Sequence, residues 1–230
     1  MSVSDAPCAV SAREQLVGLC ARPPERWPGS TQPQRASTDP RAAAVLVLFG
    51  VLDAIPSTAS HTAVARDLDV LLLCRAPTLT HHAGQVAFPG GRIDPHDAGP
   101  VDAALREAVE ETGLDPAGVE PLGALPPRAL AVSNHLVTPV PAWWTRPSPV
   151  VAVDRGETVD VFRVPVADLL HPDNRGATEH LRAGRNWRAP AFVVGDVVVW
   201  GFTAIVLDRM FDALAWTQPW NRGRTIDVAS

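Results

Sequence analysis

The stretch Arg106-Glu107-Ala108-Val109-Glu110-Glu111-Thr112-Gly113-Leu114 decides how the rest of the chain is read. It closes a segment, Val101–Thr112, with helical periodicity, and Gly113 stands where a helix C-cap favours a residue that can turn left-handed. On a helix with Glu107 set at zero, Glu110 lies near ~300° and Glu111 near ~40°. The three carboxylates then share a face about 100° wide. Val101, Leu105, Ala108, Val109 and Thr112 fall on the opposite face, between roughly 100° and 200°. One side is expected to pack under a sheet while the other concentrates negative charge. Crowded carboxylates raise one another's pKa and call for an offsetting charge. Arg106 is four residues before Glu110 and pairs with it locally, but one guanidinium cannot neutralise the cluster. A hard divalent cation can, and oxygen-only donors favour Mg²⁺ or Mn²⁺ over zinc. The plainer alternative is a solvated acidic helix face. The context weighs against it. Pro89-Gly90-Gly91-Arg92-Ile93-Asp94-Pro95-His96-Asp97 is a glycine turn leading through a loop into this helix, and a glycine carbonyl can approach a metal closely because no Cβ intervenes.

Outward from this helix, apolar runs of strand length occupy Ala43–Leu52 and Leu68–Cys74, as expected in a sheet covered on both faces. Gln85–Phe88 is a short strand that runs into the glycine turn. Further strands are expected near 128–132, 136–144, 158–164 and 192–200, a helical turn or two at Val166–Leu170, and an amphipathic helix at Thr203–Ala215. Strands flanked by helices point to a layered α/β/α sandwich of the α+β class. Near the N-terminus, Ser11 and Glu14 have capping-box spacing before a short helix at 11–21, although Gly18 weakens it. Residues 22–40 are rich in Pro, Ser and Thr and read as a linker. The organisation expected is an N-terminal helix and linker (1–36), one catalytic domain (37–225) and a short tail (226–230). The N-terminal helix docks either on that domain or on a partner subunit, which leaves a homodimer open.

Composition narrows the function. The chain has 230 residues, 46% of them apolar, which suffices for a sizeable core, and its net charge of -5 argues against a nucleic-acid coat. All 20 basic residues are Arg, so Schiff-base and P-loop lysines are excluded. Cys8, Cys20 and Cys74 are too few and scattered for a disulfide framework or zinc knuckle. With no signal-peptide pattern and no apolar run near the ~20 residues of a membrane span, they read as reduced thiols of a cytoplasmic protein. No HExxH, GxSxG or CxxC is present, so zinc protease, serine hydrolase and thiol-redox chemistry lack support. The adjacent His81 and His82 would point to opposite faces of a strand and could not chelate one metal together. The Trp residues, including Trp143, Trp144 and Trp200, read as core or interface rather than nucleobase platforms.

Gly91, five residues, Asp97, eight residues and then REAVEETGL resembles the signature box of the Nudix hydrolases. Asp97 stands where that box usually has Glu, and the loop before Arg106 is one residue longer. Both departures suit the coenzyme A pyrophosphatase branch, whose upstream signature the stretch Leu72–Gly91 resembles. Glu157–Val166 and Val199–Ala204 are similar to that branch as well. The resemblance covers roughly residues 41–215 and implies a Nudix fold with a mixed β-sheet. It implies metal ligands at Glu107, Glu110 and Glu111, with the Gly91 carbonyl as a fourth, and Arg106 orienting them through Asp97. The general base is left between Glu111 and Glu157. The implied reaction is hydrolysis of coenzyme A and acyl-coenzyme A to 3′-phosphoadenosine 5′-phosphate and (acyl-)4′-phosphopantetheine. Arg75, His82 and Gln85 are the substrate candidates, and the Arg75 guanidinium suits a phosphate, the 3′-phosphate of coenzyme A in particular. The alternatives are a Nudix hydrolase of an oxidised dNTP or ADP-ribose, or a non-catalytic nucleotide-sensing domain. Intact Glu107, Glu110 and Glu111 argue against the last.

Overall fold

A computed structural model describes residues 11–24, 40–51, 67–78, 83–130, 133–182 and 185–228. Its elements in chain order are α1 (Ala12–Ala21), β1 (Arg41–Val51), β2 (Leu68–Arg75), β3 (Val86–Ala87), β4 (Gly90–Arg92), α2 (Pro100–Thr112), β5 (Val119–Pro121), β6 (Arg128–Leu130), β7 (His135–Trp144), β8 (Thr158–Pro165), α3 (Val166–Leu170), β9 (Arg175–Arg182), β10 (Arg185–Val194), β11 (Val197–Val199) and α4 (Gly201–Ala213).

The main sheet is mixed. β1 runs parallel to β7 from Arg41↔His135 to Phe49↔Trp143, and antiparallel to β2 only at Phe49↔Val70 through Val51↔Leu68. Beyond that short pairing β1 and β2 diverge. β7 takes the far edge of β1 and β8 the far edge of β2, so the segment Val86–Arg92 fills the opening between them. It pairs first with β2 (Cys74↔Val86) and then with β1 (Ala44↔Gly91). The glycine turn is thereby held inside the sheet, with backbone on both sides.

Alternation along β1 separates two cores. Ala44, Leu46 and Leu48 face α2 and pack on Ala103, Ala104 and Ala108. Val47 and Phe49 face α4, where Val206, Leu207, Met210 and Phe211 cover them together with α3. The layering is the α/β/α sandwich expected from the sequence. The run expected as one strand at 192–200 is instead a hairpin: Gly195, at φ +57, turns the chain between β10 and β11. With β9 these strands make a second, three-stranded antiparallel sheet. β9 and the first half of β10 are too polar to show a strand period, and the sheet is instead tied to α4 by Arg175. That side chain is 1% exposed, paired with Asp208 and stacked between Phe192 and Trp220.

Helix α1 carries its capping box, Ser11 with Glu14, and it docks on its own chain. Leu16 (0% exposed) and Leu19 (8%) enter the same core as Phe49 and Met210. The Trp216 indole N–H donates to Gln15, and Arg13 pairs with Glu120 at 2.6 Å. The C-terminal segment is tied in as well, since the Ile226 N–H donates to the Ala177 carbonyl at 2.9 Å. Trp144 and Trp216 are core residues, while Trp200 stacks on His180 at 5.8 Å. Cys20 and Cys74 are free thiols, and burial pushes Cys20 up to about 11. No helix among the described residues is long and apolar enough to cross a membrane.

Candidate active site

Helix α2 approaches the sheet closely because its buried stripe is made of small residues, Ala103, Ala104 and Ala108. Pro100 opens it and Gly113, at φ +65, ends it. The helical wheel placed Glu111 with the solvated charges, and here the structure differs. Glu111 is 8% exposed and continues the buried stripe of Ala104 and Ala108, beneath the glycine turn. The Gly90 N–H donates to its Oε2 at 2.9 Å, and Arg75 Nη1 lies 4.0 Å from its Oε1. Burial pushes the Glu111 carboxyl up to about 7. The Gly90 bond and the Arg75 charge pull it down, while Glu107 and Glu157 push it further up.

The two glycines differ in what they make room for. A Cβ on Gly90 would meet the Ala44 carbonyl oxygen at 2.4 Å and the Val45 Cα at 2.6 Å, at φ +155. A Cβ on Gly91 would meet the Glu107 carboxylate at 2.4 Å. Gly90 is therefore a requirement of the fold, and Gly91 a requirement of the Glu107 position.

Arg106 holds the outer carboxylates. Its Nε and Nη2 grip Asp97 in bidentate fashion at 3.0 and 3.1 Å, its Nη1 reaches Glu107 and Glu110 at 3.1 Å each, and its Nη2 also donates to the Arg92 carbonyl. The guanidinium holds the Asp97 carboxyl below the usual range, whereas burial raises that of Glu107. Glu110 turns outward, its side chain 58% exposed.

Of the substrate candidates, Arg75 and Gln85 close the β2–β3 hairpin, the Arg75 N–H donating to the Gln85 carbonyl at 3.0 Å. The Gln85 side chain reaches the start of α4 at Gly201. Glu157 comes alongside through the bond from the Ala76 N–H to its carbonyl, 2.8 Å. A register shift between Cys74 and Arg75 brings Thr158 opposite Arg75. His82 lies outside the described residues. Sequence reasoning missed the role of Gly90, whose N–H meets a carboxylate 21 residues away. The only local signal for it was the doubled glycine.

Among the described residues, no three His, Cys, Asp or Glu side chains converge into a ready cation cluster. The cause is visible in the bonding: Arg106 draws Glu107 and Glu110 toward itself, and Gly90 with Arg75 holds Glu111. The donor set nevertheless fits a hard divalent ion. Two guanidiniums face the carboxylates of Asp97, Glu107, Glu110 and Glu111, with the Glu157 charge also bearing on Glu111. The cluster is thus short of positive charge and offers only oxygen donors.

The NUDIX domain family model matches residues 56–183. A human protein, mitochondrial coenzyme A diphosphatase NUDT8, is 35% identical over 190 residues, covering 81% of this chain and 74% of its own. NudL of Escherichia coli K12, described as an uncharacterized Nudix hydrolase, is 39% identical over 141 residues, 61% of this chain and 72% of its own. Among solved structures, the Nudix hydrolase RenU of M. smegmatis aligns with a TM-score of 0.48 and 21% identity, over 79% of this chain and 90% of that one. With the acidic helix under a glycine turn and a family match over more than half its length, the chain belongs to the Nudix hydrolases, enzymes that cleave diphosphate bonds of small nucleotide substrates and generally use divalent metal ions.

Proposed function

We propose that this enzyme hydrolyses the diphosphate of coenzyme A and acyl-coenzyme A, releasing 3′-phosphoadenosine 5′-phosphate and (acyl-)4′-phosphopantetheine, with Mg²⁺ or Mn²⁺ as its ion. The observation that carries this reading is the 35% identity, over 81% of the chain, to a protein named as a coenzyme A diphosphatase. Support comes from the likeness of Leu72–Gly91 to the coenzyme A pyrophosphatase signature, a stretch that ends in the turn over Glu111.

Glu107, Glu110 and Glu111, with the Gly91 carbonyl, are the groups that would hold the ion. When bound, it supplies Lewis-acid polarisation of the diphosphate and offsets its charge. Arg106 positions Glu107 and Glu110 from its anchor on Asp97. Arg75 stands at Glu111, so the diphosphate rather than the 3′-phosphate is the group it meets. Glu157 is exposed and is not held by Arg106 or Gly90, which makes it the better of the two carboxylates to accept the proton of the attacking water. Gln85 and His82 contact the substrate from the segment before the turn. A cytoplasmic setting suits the free thiols Cys20 and Cys74.

The test is a substrate panel with product identification: coenzyme A, dephospho-coenzyme A, ADP-ribose, and common and oxidised dNTPs. Coenzyme A is expected to have the highest kcat/KM. If ADP-ribose or an oxidised dNTP leads, the substrate assignment is wrong and only the Nudix hydrolase remains.

A further inference from the structure

The segment that delivers Glu157 also carries an apolar edge. Val151 and Val153 are the two most exposed large apolar side chains among the described residues, at 65% and 57%. Backbone bonding sets this exposure. The Val151 N–H donates to the Thr112 carbonyl at 3.0 Å and the Val153 N–H to the Glu111 carbonyl at 3.2 Å, so alternate amides of one stretch satisfy the last turn of α2. Side chains along an extended stretch alternate. Val150 packs on the core between α2 and the sheet, and Val151 and Val153 are turned outward.

Both ends of this segment are tied to the site. At one end it bonds to the backbone of Glu111, and Val153 Cγ2 lies 3.4 Å from the position of a Gly113 Cβ. At the other, Asp154 accepts from the Gly156, Glu157 and Thr158 N–H groups and turns the chain, so that the Glu157 carbonyl meets the N–H of Ala76, next to Arg75. Arg75 and Glu111 themselves stand 4.0 Å apart. The valines thus border the carboxylates and the cation assigned to the diphosphate. A single exposed valine is ordinary; two on one side of a stretch anchored at a charged site offer apolar contact beside the reacting bond.

Chemistry identifies what would cover them. In coenzyme A, the carbon beyond the ester CH₂ of the diphosphate carries two methyl groups, a compact apolar unit close to the bond that is cleaved. ADP-ribose has a hydroxylated ribose at that point, and a dNTP only phosphate. Methyl groups against valine release water from both partners. A hydroxylated or charged group there is desolvated without a hydrogen-bond partner.

We propose that Val151 and Val153 form an apolar wall that receives the dimethyl group of the pantetheine arm, and so select coenzyme A from other nucleoside diphosphate derivatives. The wall's role rests on the coenzyme A reading and names what that reading requires at the arm.

The experiment is steady-state kinetics of the full-length protein in Mg²⁺, comparing coenzyme A with an analogue in which both methyl groups are replaced by hydrogen. Wild type, Val151→Ser, Val153→Ser and the double variant are measured. Loss of the methyl groups should lower kcat/KM in wild type about five- to fifteenfold. In the double variant the two substrates should agree within about twofold, with the single variants between. A merely structural role would lower both substrates equally and leave their ratio unchanged, so a ratio that persists in the double variant overturns the proposal. A wild-type ratio near one, with coenzyme A still leading the substrate panel, overturns it and leaves the coenzyme A reading standing. A double variant that dissociates from a dimer to a monomer in sedimentation makes the valines a subunit contact, which overturns it too. ADP-ribose or a dNTP leading the wild-type panel overturns the coenzyme A reading, and this assignment with it.

Discussion

Replacing Glu111 by Gln should do opposite things to stability and to activity. The Glu111 carboxyl is raised from 4.5 to about 7, chiefly by burial, so the ion is less stable in the folded protein than in the unfolded chain. The sign follows from linkage. Below pH 4.5 the group is neutral in both states and costs nothing; as pH rises from 4.5 to about 7, ionisation penalises the folded state; above that the penalty is constant. At 1.36 kcal/mol per pH unit the full penalty is about 3 kcal/mol, and the 9% side-chain exposure leaves little solvent screening. Gln keeps an oxygen to accept the Gly90 N–H but carries no charge. The metal-free variant should gain about 1–3 kcal/mol at pH 8, roughly 3–9 °C in melting temperature for a domain of this size, and the gain should vanish near pH 4.5. Saturating Mg²⁺ should reverse the order, because wild type gains about 4.1 kcal/mol at a thousand times Kd through binding only to the folded state. Turnover should fall at least ~10³-fold. The assay is calorimetry in EDTA and in Mg²⁺ across pH 5–8, beside steady-state kinetics. A variant less stable than wild type in EDTA at pH 8, or one with near-wild-type turnover, would refute the reasoning.

The glycine turn separates fold from chemistry. Gly91→Ala should displace only the flexible end of Glu107, losing activity with melting temperature nearly unchanged, whereas Gly90→Ala drives a Cβ into β1 backbone and should fail in both. Glu157→Gln should lower kcat by about 10²–10⁴ with KM little changed if Glu157 is the base, and an unchanged kcat would return that role to Glu111. Leu16→Ala, which empties a fully buried position, should cost about 2–5 kcal/mol in urea denaturation. A chain starting at Ser37 should keep its metal-dependent chemistry at low temperature while melting well below the full-length protein. Complete loss of activity in a folded Ser37 chain would show that α1 serves the chemistry as well as the core.

What could be read from the sequence was what one element carries within itself. The α2 boundaries, its Gly113 cap, the buried runs of β1 and β2, and the Ser11–Glu14 capping box depend on residue type and period over a few positions. The acidic box was legible for the same reason, because Arg106, Glu107, Glu110 and Glu111 sit within two helical turns. Tertiary structure decided the rest, since it depends on residues distant in the chain. A helical wheel ranks Glu107, Glu110 and Glu111 as equals. The turn at Gly90, inserted where β1 and β2 diverge, buries one of them and leaves another 58% exposed. Arg75 was visible only as a cation near the signature, and the pairing of β2 with β3, which runs into the glycine turn, put it at Glu111. β9 and the first half of β10 show no apolar period because polar side chains fill most of their positions, buried ones such as Arg175 and Thr178 included. Local periodicity reports a residue's neighbours along the chain, and the chemistry of this site depends on neighbours across it.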